Sequence, residues 1–344
     1  MPSHFDHDIL VALRQCVGDV ELVSLQDVSP GLSGSQVLKA TCKDRSGQAG
    51  AWYLKGASTS SYSPLGLDNE LNSARERAVY RTPYARQIPG IEIPAAQVTD
   101  DNRWICMEDR SESIGQPYDP RLAGAVMDRL AGLAEFSSKL PRGWQNRFPF
   151  VRCGWMTYAG FIDEALDNLT QVERAELPFA GAQLSHFDIG TLRRLLLEAQ
   201  DISSLAEDLP TTILHGDLNP SNCGISPVGN LVLIDFEQVG IGPIGSDAAT
   251  FTMLYKRFGG TGTWTTEDAI HHYRRALVQR GVEVELTQIY LAFAIWQCTW
   301  GLHLRLGPGM SFLLRESDSA NLVQAHDVFD GLRAAVAFSE RIFA

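Results

Sequence analysis

Two short apolar runs within residues 211–237 each end in polar residues that a strand buried in a core would not need there. The first run is followed by His215, Asp217 and Asn222, and the second by Asp235. A β-hairpin formed by the two runs would place two carboxylates and an amide oxygen at one end, facing a common point. Mg²⁺ prefers oxygen ligands and usually shares them with substrate phosphates. The segment therefore favours a phosphotransferase site.

The positions of these residues divide their roles. Asp217, at the tip of the loop, is placed to accept the proton of an incoming hydroxyl group. Asn222 offers a metal ion a neutral oxygen, and Asp235 offers a charged one. His215 supports the loop, because it stands at the end of a strand beside a backbone turn. The alternative, an Asx-rich turn between two strands, explains Asp217 but not the whole set.

The composition is that of a globular protein with an acidic balance. At 344 residues the chain exceeds the size that one core usually fills, so two lobes are expected. The formal net charge of −12 argues against nucleic acid or an anionic membrane as a partner and is compatible with a cationic substrate.

The six cysteines form no CxxC pair, and the apolar stretch 289–304 is too short to span a membrane. We expect a cytoplasmic protein, a monomer or a homodimer.

The spacing of apolar residues predicts a β-rich first part and a helical second part. Antiparallel strands are expected at 21–28, 36–42, 50–55, 95–99 and 103–108. Helices are expected at 8–17, 68–86, 119–139, 188–207, 246–258, 266–280, 285–304 and 320–342. The sequence thus predicts an α+β fold of two lobes, with a five-stranded antiparallel sheet and one inserted helix in the first lobe. Residues 1–108 are the expected nucleotide-binding lobe, 109–118 a hinge, and 119–344 a larger, mainly helical catalytic and substrate-binding lobe.

Lys55 lies at the end of the third predicted strand, beside Trp52 and Leu54. A lysine in an apolar strand is costly unless its ammonium finds a counter-charge. Glu76 on the following helix is the natural partner, and such a pair would hold the phosphates of a nucleotide. The alternative is an edge lysine whose ammonium reaches solvent.

The loop at 29–35 contributes small residues before Lys55. Ser33, Gly34 and Ser35 leave room for backbone N–H groups to close over phosphates. The loop matches neither G-x-G-x-x-G nor the Walker pattern. The prediction that it binds phosphates therefore rests on its position between the first two predicted strands and before Lys55.

Asp247 follows a glycine-rich segment and has two interpretations. It is either the N-cap of the helix that begins there or a brace that accepts backbone hydrogen bonds from the loop at 215–222, and the two are compatible.

The sequences HGDLNPSN at 215–222 and LVLIDFE at 231–237 resemble the catalytic segments of the aminoglycoside phosphotransferase and choline kinase family, small-molecule relatives of the protein kinases. Gly216 stands where protein kinases carry Arg, and Glu237 stands where they carry the Gly of D-F-G. Both features are typical of the small-molecule branch.

The resemblance implies a bilobal protein-kinase-like fold and transfer of the γ-phosphoryl group of ATP or GTP to a hydroxyl of a small molecule. Asp217 would be the catalytic base, and Asn222 and Asp235 would hold Mg²⁺. Lys55 and Glu76 would correspond to the lysine and glutamate ion pair of kinases.

The strand at 105–109 resembles the connector between kinase lobes. Met107 would therefore lie at the back of the nucleotide pocket, and the backbone near Glu108 and Arg110 would bind adenine.

Two positions depart from the family pattern. Ser35 is followed by Gln36 where the family usually has Asn, and Glu135 stands where a family helix usually carries His. The acceptor stays open between a cationic aminoglycoside and a metabolite such as an amino alcohol, a sugar or an amino acid. A non-catalytic pseudokinase that binds nucleotide is a further alternative, which the intact set of motif residues disfavours.

Overall fold

The computed structural model describes residues 4–28, 35–56, 69–82, 87–115, 118–141, 143, 162–174, 184–315 and 322–343. Within them the strands are β1 (Val20–Val28), β2 (Val37–Asp44), β3 (Ala49–Gly56), β4 (Ile91–Glu92), β5 (Ala96–Val98), β6 (Trp104–Glu108), β7 (Thr211–Leu214), β8 (Cys223–Ile225), β9 (Leu231–Leu233) and β10 (Gly240–Pro243). The helices are α1 (His4–Val17), α2 (Asn69–Arg81), α3 (Pro120–Ser138), α4 (Ile162–Glu173), α5 (His186–Leu197), α6 (Ala199–Ser204), α7 (Ser246–Leu254), α8 (Thr266–Gln279), α9 (Leu286–Cys298), α10 (Trp300–Leu304), α11 (Met310–Arg315) and α12 (Leu322–Phe343).

The first lobe is a five-stranded antiparallel sheet in the order β1-β2-β3-β6-β5, with α2 following β3 as predicted. Strand alternation sorts its side chains onto two faces. Leu54 of β3 is paired with Cys106 of β6, and both are fully buried in a small core beneath α1. The neighbouring pair, Tyr53 and Met107, points to the opposite face, as does Lys55. The same alternation that buries Leu54 therefore directs Lys55 into the cleft between the lobes.

The connector after β6 is joined to the second lobe by close backbone packing. Ile114 forms a β-bridge with Gly224 of β8. A Cβ atom at Gly224 would lie 1.9 Å from the carbonyl oxygen of Ser113, so only glycine allows this approach. Strand β4 adds a second backbone connection to the second lobe, because it pairs in parallel with β9.

The second lobe is built on helices around one large core. Helix α3 begins with Asp119 as N-cap, whose carboxylate accepts the N–H of Leu122 at 2.8 Å, and Pro120 in the first turn. Helix α9 is mostly apolar, with Phe293 and Trp296 fully buried, and it lies in the core as expected for such a helix. Among the described helices, none combines the length and apolarity needed to cross a membrane.

The predicted hairpin between the two apolar runs is wrong. Strand β7 pairs with β10, and β9 pairs with β8, so the runs belong to two different small sheets. The strands β8 and β10 are short and contain Gly or Pro, so the sequence pattern did not predict them. Two predicted helices are also divided: 188–207 gives α5, α6 and a 3₁₀ turn, and 285–304 breaks at Thr299, where φ is −112° and ψ is −91°. Helix α4 was not predicted.

Candidate active site

The loop after β7 is held by a carboxylate from helix α7. Asp247 accepts the backbone N–H of His215 at 2.7 Å and that of Gly216 at 3.0 Å. Burial raises the pKa of Asp247, while these two N–H groups favour its charged form. The brace interpretation of Asp247 therefore describes its contacts, whereas the N-cap interpretation is wrong, since the N-cap of α7 is Gly245.

Gly216 is required by the backbone of the loop. Its φ is 86°, and a Cβ atom there would lie 1.9 Å from the carbonyl oxygen of Gln238. Any other residue would meet both a left-handed conformation and a backbone clash. This explains in physical terms the glycine between His215 and Asp217.

His215 connects the ends of β7 and β9. Its Nε2 lies 2.8 Å from the carbonyl oxygen of Ile234, and its ring packs on Phe236 with centroids 5.0 Å apart. Burial lowers the pKa of His215, so the imidazole is neutral near pH 7, and Nε2 donates to the carbonyl in the tautomer that carries its proton. These contacts fit the supporting position that the sequence predicts.

Asp217 is half-buried and held by two amides. Asn219 donates to Asp217 Oδ1 at 3.1 Å, and Asn222 donates to Asp217 Oδ2 at 3.1 Å and to its carbonyl oxygen at 3.0 Å. Burial, with a smaller contribution from Asp235, raises the pKa of Asp217 to about 6 against these hydrogen bonds. Near pH 7 the carboxylate is thus mostly charged yet more basic than an exposed aspartate, as a general base requires.

The amide of Asn222 is oriented by the same contacts. Because its nitrogen faces Asp217, its side-chain oxygen is the atom left for a cation. The backbone carbonyl of Asn222 accepts the N–H of Ile234 at 3.0 Å, which places the loop beside the residue that precedes Asp235.

Lys55 lies among three carboxylates. Its Nζ atom is 2.8 Å from Glu76, 2.7 Å from Asp235 and 2.8 Å from Glu237. Burial alone would lower the pKa of Lys55, but the carboxylates outweigh it and hold that pKa well above its usual value. For Asp235, burial is likewise outweighed by Lys55, and the pKa falls below its usual range. The ion pair expected between Lys55 and Glu76 is present, and it is buried.

Glu237 is the site residue that sequence reasoning missed. The motif indicated an acidic residue here but no contact for it. Asp235 has φ 65° and ψ 68°, and residues Phe236–Gln238 form a 3₁₀ turn, which returns Glu237 to the ammonium of Lys55. Ser35, two residues before β2, donates its hydroxyl to Glu237 at 3.5 Å.

The carboxylates around Lys55 are also suited to a divalent cation. One oxygen from each of Glu76, Asp235 and Glu237 lies within 4.8 Å of the others. Carboxylate oxygens are the hard ligands that Mg²⁺ takes, and an amide oxygen such as that of Asn222, whose backbone contacts Ile234, is a ligand of the same kind. Asp235 belongs to this group of carboxylates and also to the predicted pair of metal ligands, Asn222 and Asp235. The chemistry of these oxygen atoms therefore fits a metal ion at Asp235.

A cavity of about 250 Å³ lies beside Lys55. Six predicted site residues line it: Lys55, Glu76, Met107, Glu108, Arg110 and Asp235. Val37, Tyr53 and Ile234 are among the remaining lining residues. Asp217 and Asn222 are not among the described residues that line it, and Ser35 is buried next to Glu237. Ser33 and Gly34 lie outside the described residues.

The connector residues have contacts of their own. The hydroxyl of Tyr80 donates to Met107 Sδ at 3.3 Å. The N–H of Glu108 donates to the carbonyl oxygen of Ala95 at 2.9 Å, and Arg110 forms an ion pair with Glu92 at 2.7 Å.

Glu135 belongs to packing between helices. Its carboxylate forms ion pairs with Lys139 and, at 3.0 Å, with Arg280 of α8. Glu135, which departs from the family pattern, therefore has a structural role in this protein, because it pairs with Lys139 and Arg280.

A family comparison decides the identity of the chain. The profile of the phosphotransferase enzyme family matches residues 69–284, more than half of the chain. The chain belongs to the phosphotransferase enzyme family. As a member of this family the chain is a phosphotransferase, which confirms the predicted enzyme class.

Solved structures of phosphotransferases share the fold. Choline kinase from Cryptosporidium parvum Iowa II aligns with a TM-score of 0.60 and 11% identity over 98% of this chain and 96% of that one. An aminoglycoside phosphotransferase from Alicyclobacillus acidocaldarius aligns with a TM-score of 0.55 and 15% identity over 97% and 96%. Spectinomycin phosphotransferase, solved with ADP and spectinomycin, gives 0.56 and 12% over 98% and 98%. Comparison with curated proteins finds no match. The predicted bilobal, protein-kinase-like fold is confirmed.

Proposed function

We propose that this phosphotransferase moves the γ-phosphoryl group of ATP to a hydroxyl group of a small molecule, with Mg²⁺ as cofactor and Asp217 as catalytic base. The observation that carries the proposal is the buried ammonium of Lys55, held by Glu76 and Asp235 beside a cavity between the lobes. Phosphoryl transfer demands mainly positioning and charge neutralisation, and this arrangement supplies both.

Each residue near the reacting groups has a role that its contacts support. Lys55 would bind the phosphates, while Glu76 keeps its ammonium in place. Asn222 and Asp235 would hold Mg²⁺, which when bound neutralises charge on the phosphates. Asp217 would orient the acceptor hydroxyl and take its proton at a side-chain oxygen. His215 and Asp247 would fix the loop and do not react.

The base and phosphates of the nucleotide would lie along the cavity. Met107 and Tyr53 supply apolar walls, and the backbone of Glu108 and Arg110 would bind adenine. Since the N–H of Glu108 already donates to Ala95, its carbonyl oxygen is the atom we assign to adenine.

The loop containing Ser33, Gly34 and Ser35 would close over the phosphates. GTP is the alternative nucleotide. We assign residues 1–108 to nucleotide binding, 109–118 to the hinge and 119–344 to catalysis and acceptor binding, in a cytoplasmic monomer or homodimer.

We infer the class of acceptor from the net charge of the protein. The net charge of −12 suits a cationic acceptor such as an aminoglycoside or an amino alcohol. A metabolite kinase acting on an uncharged sugar or on an amino acid is the alternative.

Coupled ADP release tests the proposal. The enzyme would be assayed with ATP or GTP, with Mg²⁺ or EDTA, against aminoglycosides, macrolides, amino alcohols, sugars and amino acids. We expect Mg²⁺-dependent ADP release with one acceptor class, followed by location of the phosphate on the product. Nucleotide binding without ADP release for every class would favour a non-catalytic pseudokinase.

A further inference from the structure

Two thiols meet beneath helix α1, on the side of the first lobe away from the cleft. Cys16 lies in the last turn of α1, and its Sγ donates to the carbonyl oxygen of Gln97 at 3.6 Å. Gln97 is the register partner of Cys106 in the β5–β6 pair. The Sγ of Cys106 donates to the carbonyl oxygen of Ala12, one helical turn before Cys16, at 3.7 Å. The two side chains thus enter one interface from opposite sides.

The two thiols differ in exposure and in acidity. Cys16 is half-buried at the edge of the interface, whereas Cys106 is fully buried in the small core. The neighbouring thiol of Cys106 lowers the pKa of Cys16 against the effect of burial. Contact with Cys16, together with burial, raises the pKa of Cys106. An accessible thiol of lowered pKa beside a second thiol is the arrangement that reacts with peroxides and then forms a disulfide.

We propose that Cys16 and Cys106 form a dithiol that a hydroperoxide oxidises to a disulfide, with Cys16 as the attacking thiol. The Cys16 thiolate attacks one peroxide oxygen, and the O–O bond breaks, which gives a sulfenic acid at Cys16 and an alkoxide or hydroxide that takes a proton from solvent to become an alcohol or water. The Cys106 sulfur then attacks the sulfenic sulfur, and its proton leaves with the hydroxide as water. The two thiols lose two electrons, which the hydroperoxide accepts.

Cys42 is the matched control for this pair. It lies in the same small core and is 2% exposed, and burial raises the pKa of its thiol. It therefore shares the surroundings of Cys106 but lacks the accessible, acidic character of Cys16. A disulfide at Cys106 would join α1 to the strand residue that directly precedes Met107 of the nucleotide cavity.

Peptide mapping of the full chain after treatment with hydrogen peroxide tests the proposal. In the wild type and in Cys42→Ala we expect a Cys16–Cys106 cross-linked peptide, at least tenfold more abundant than any other pair and removed by dithiothreitol. In Cys106→Ala we expect Cys16 to accumulate as a sulfenic acid that dimedone traps. In Cys16→Ala we expect no cross-link to Cys106.

Two outcomes would overturn the proposal. One is a wild-type protein in which Cys16 stays reduced, or is oxidised beyond sulfenic acid without any cross-link to Cys106. The other is a Cys16→Ala variant in which Cys106 is oxidised at the wild-type rate. Should Cys106→Ala fail to fold, the wild type, Cys16→Ala and Cys42→Ala decide the matter, since Cys16 is only half-buried.

Discussion

At the scale of single residues, Lys55 sets the charge balance of the cleft. Its ammonium lies within 2.8 Å of the carboxylates of Glu76, Asp235 and Glu237. One positive and three negative charges leave an excess of negative charge, which burial relieves in part because it raises the pKa of Glu76. A divalent cation removes the same excess, so nucleotide affinity is expected to depend on Mg²⁺.

Asp235→Asn tests the metal role of Asp235 without disturbing the backbone. The residue has a φ of 65°, which Asn tolerates as well as Asp does. Because the variant removes a charged ligand, we expect Mg²⁺-dependent ATP affinity to fall at least tenfold in calorimetric titrations. Glu173→Gln, an exposed acidic residue of α4 that is paired with Arg193 and does not line the cavity, serves as the control and should leave affinity unchanged. Wild-type affinity in Asp235→Asn would remove this residue from the metal site.

Gly216→Ala tests whether the loop backbone needs glycine. The added Cβ would meet the carbonyl oxygen of Gln238, and φ is 86°. We expect the free energy of unfolding to fall by about 2–4 kcal/mol, measured by chemical denaturation. Gly259→Ala is the matched control, since Gly259 has φ 84° but no atom within 4 Å, and it should lose about 1 kcal/mol. If the free energy of unfolding fell equally in the two variants, the backbone would have moved to relieve the contact with Gln238, and glycine would not be required at position 216.

The raised pKa of Asp217 predicts a pH dependence of stability. Its folded-state pKa of about 6 lies above the ordinary value of 3.8, so the folded state binds the proton more tightly than the unfolded chain. The contribution of Asp217 to stability is therefore largest below the ordinary value and is lost as pH rises from about 4 to about 6. Relative to Asp217→Asn, the loss is expected to be on the order of 1–2 kcal/mol, discounted because the residue is half-buried. Denaturation of both proteins across this range, without nucleotide, measures it. A constant difference between them would contradict the raised pKa.

At the scale of elements, the loop at 215–222 is held by two small sheets and one helix. Strand β7 pairs with β10, β9 pairs with β8, and α7 supplies the carboxylate of Asp247. The longer strands and helices were predictable because their apolar spacing is strong. The pairing of β7 and β9 was not predictable, since their partners are segments of three or four residues whose strand structure depends on tertiary contacts.

Asp247→Ala tests the brace that α7 provides. The variant leaves the buried N–H groups of His215 and Gly216 without their acceptor, so we expect a loss of about 2–4 kcal/mol in unfolding free energy. Turnover should fall as well, because the loop that carries Asp217 loses its anchor. Glu267→Ala, which removes an exposed first-turn carboxylate paired with Arg341, should cost under about 1 kcal/mol. An Asp247 variant as stable as this control would show that the two N–H groups find other acceptors.

At the scale of the whole molecule, the cleft joins residues that are distant in the sequence. Lys55 and Asp235 are 180 positions apart, yet their side chains touch. The motif at 215–222 and the isolated lysine in an apolar strand made most of this site predictable, because each residue type is hard to explain otherwise. Glu237 was not, since its contact with Lys55 depends on the left-handed backbone of Asp235 and the turn after it. The acceptor is not encoded in these residues, because the chemistry that we propose for them is the same for all acceptors.

Asp217→Asn tests whether Asp217 acts as the base of the proposed phosphoryl transfer. The measurement is ADP release with the best acceptor, paired with ATP affinity in the same preparation. We expect affinity within about twofold of the wild type and turnover lowered by roughly 10²–10⁴-fold, because Asn keeps the shape but cannot accept the proton. Turnover close to that of the wild type would exclude Asp217 as the base.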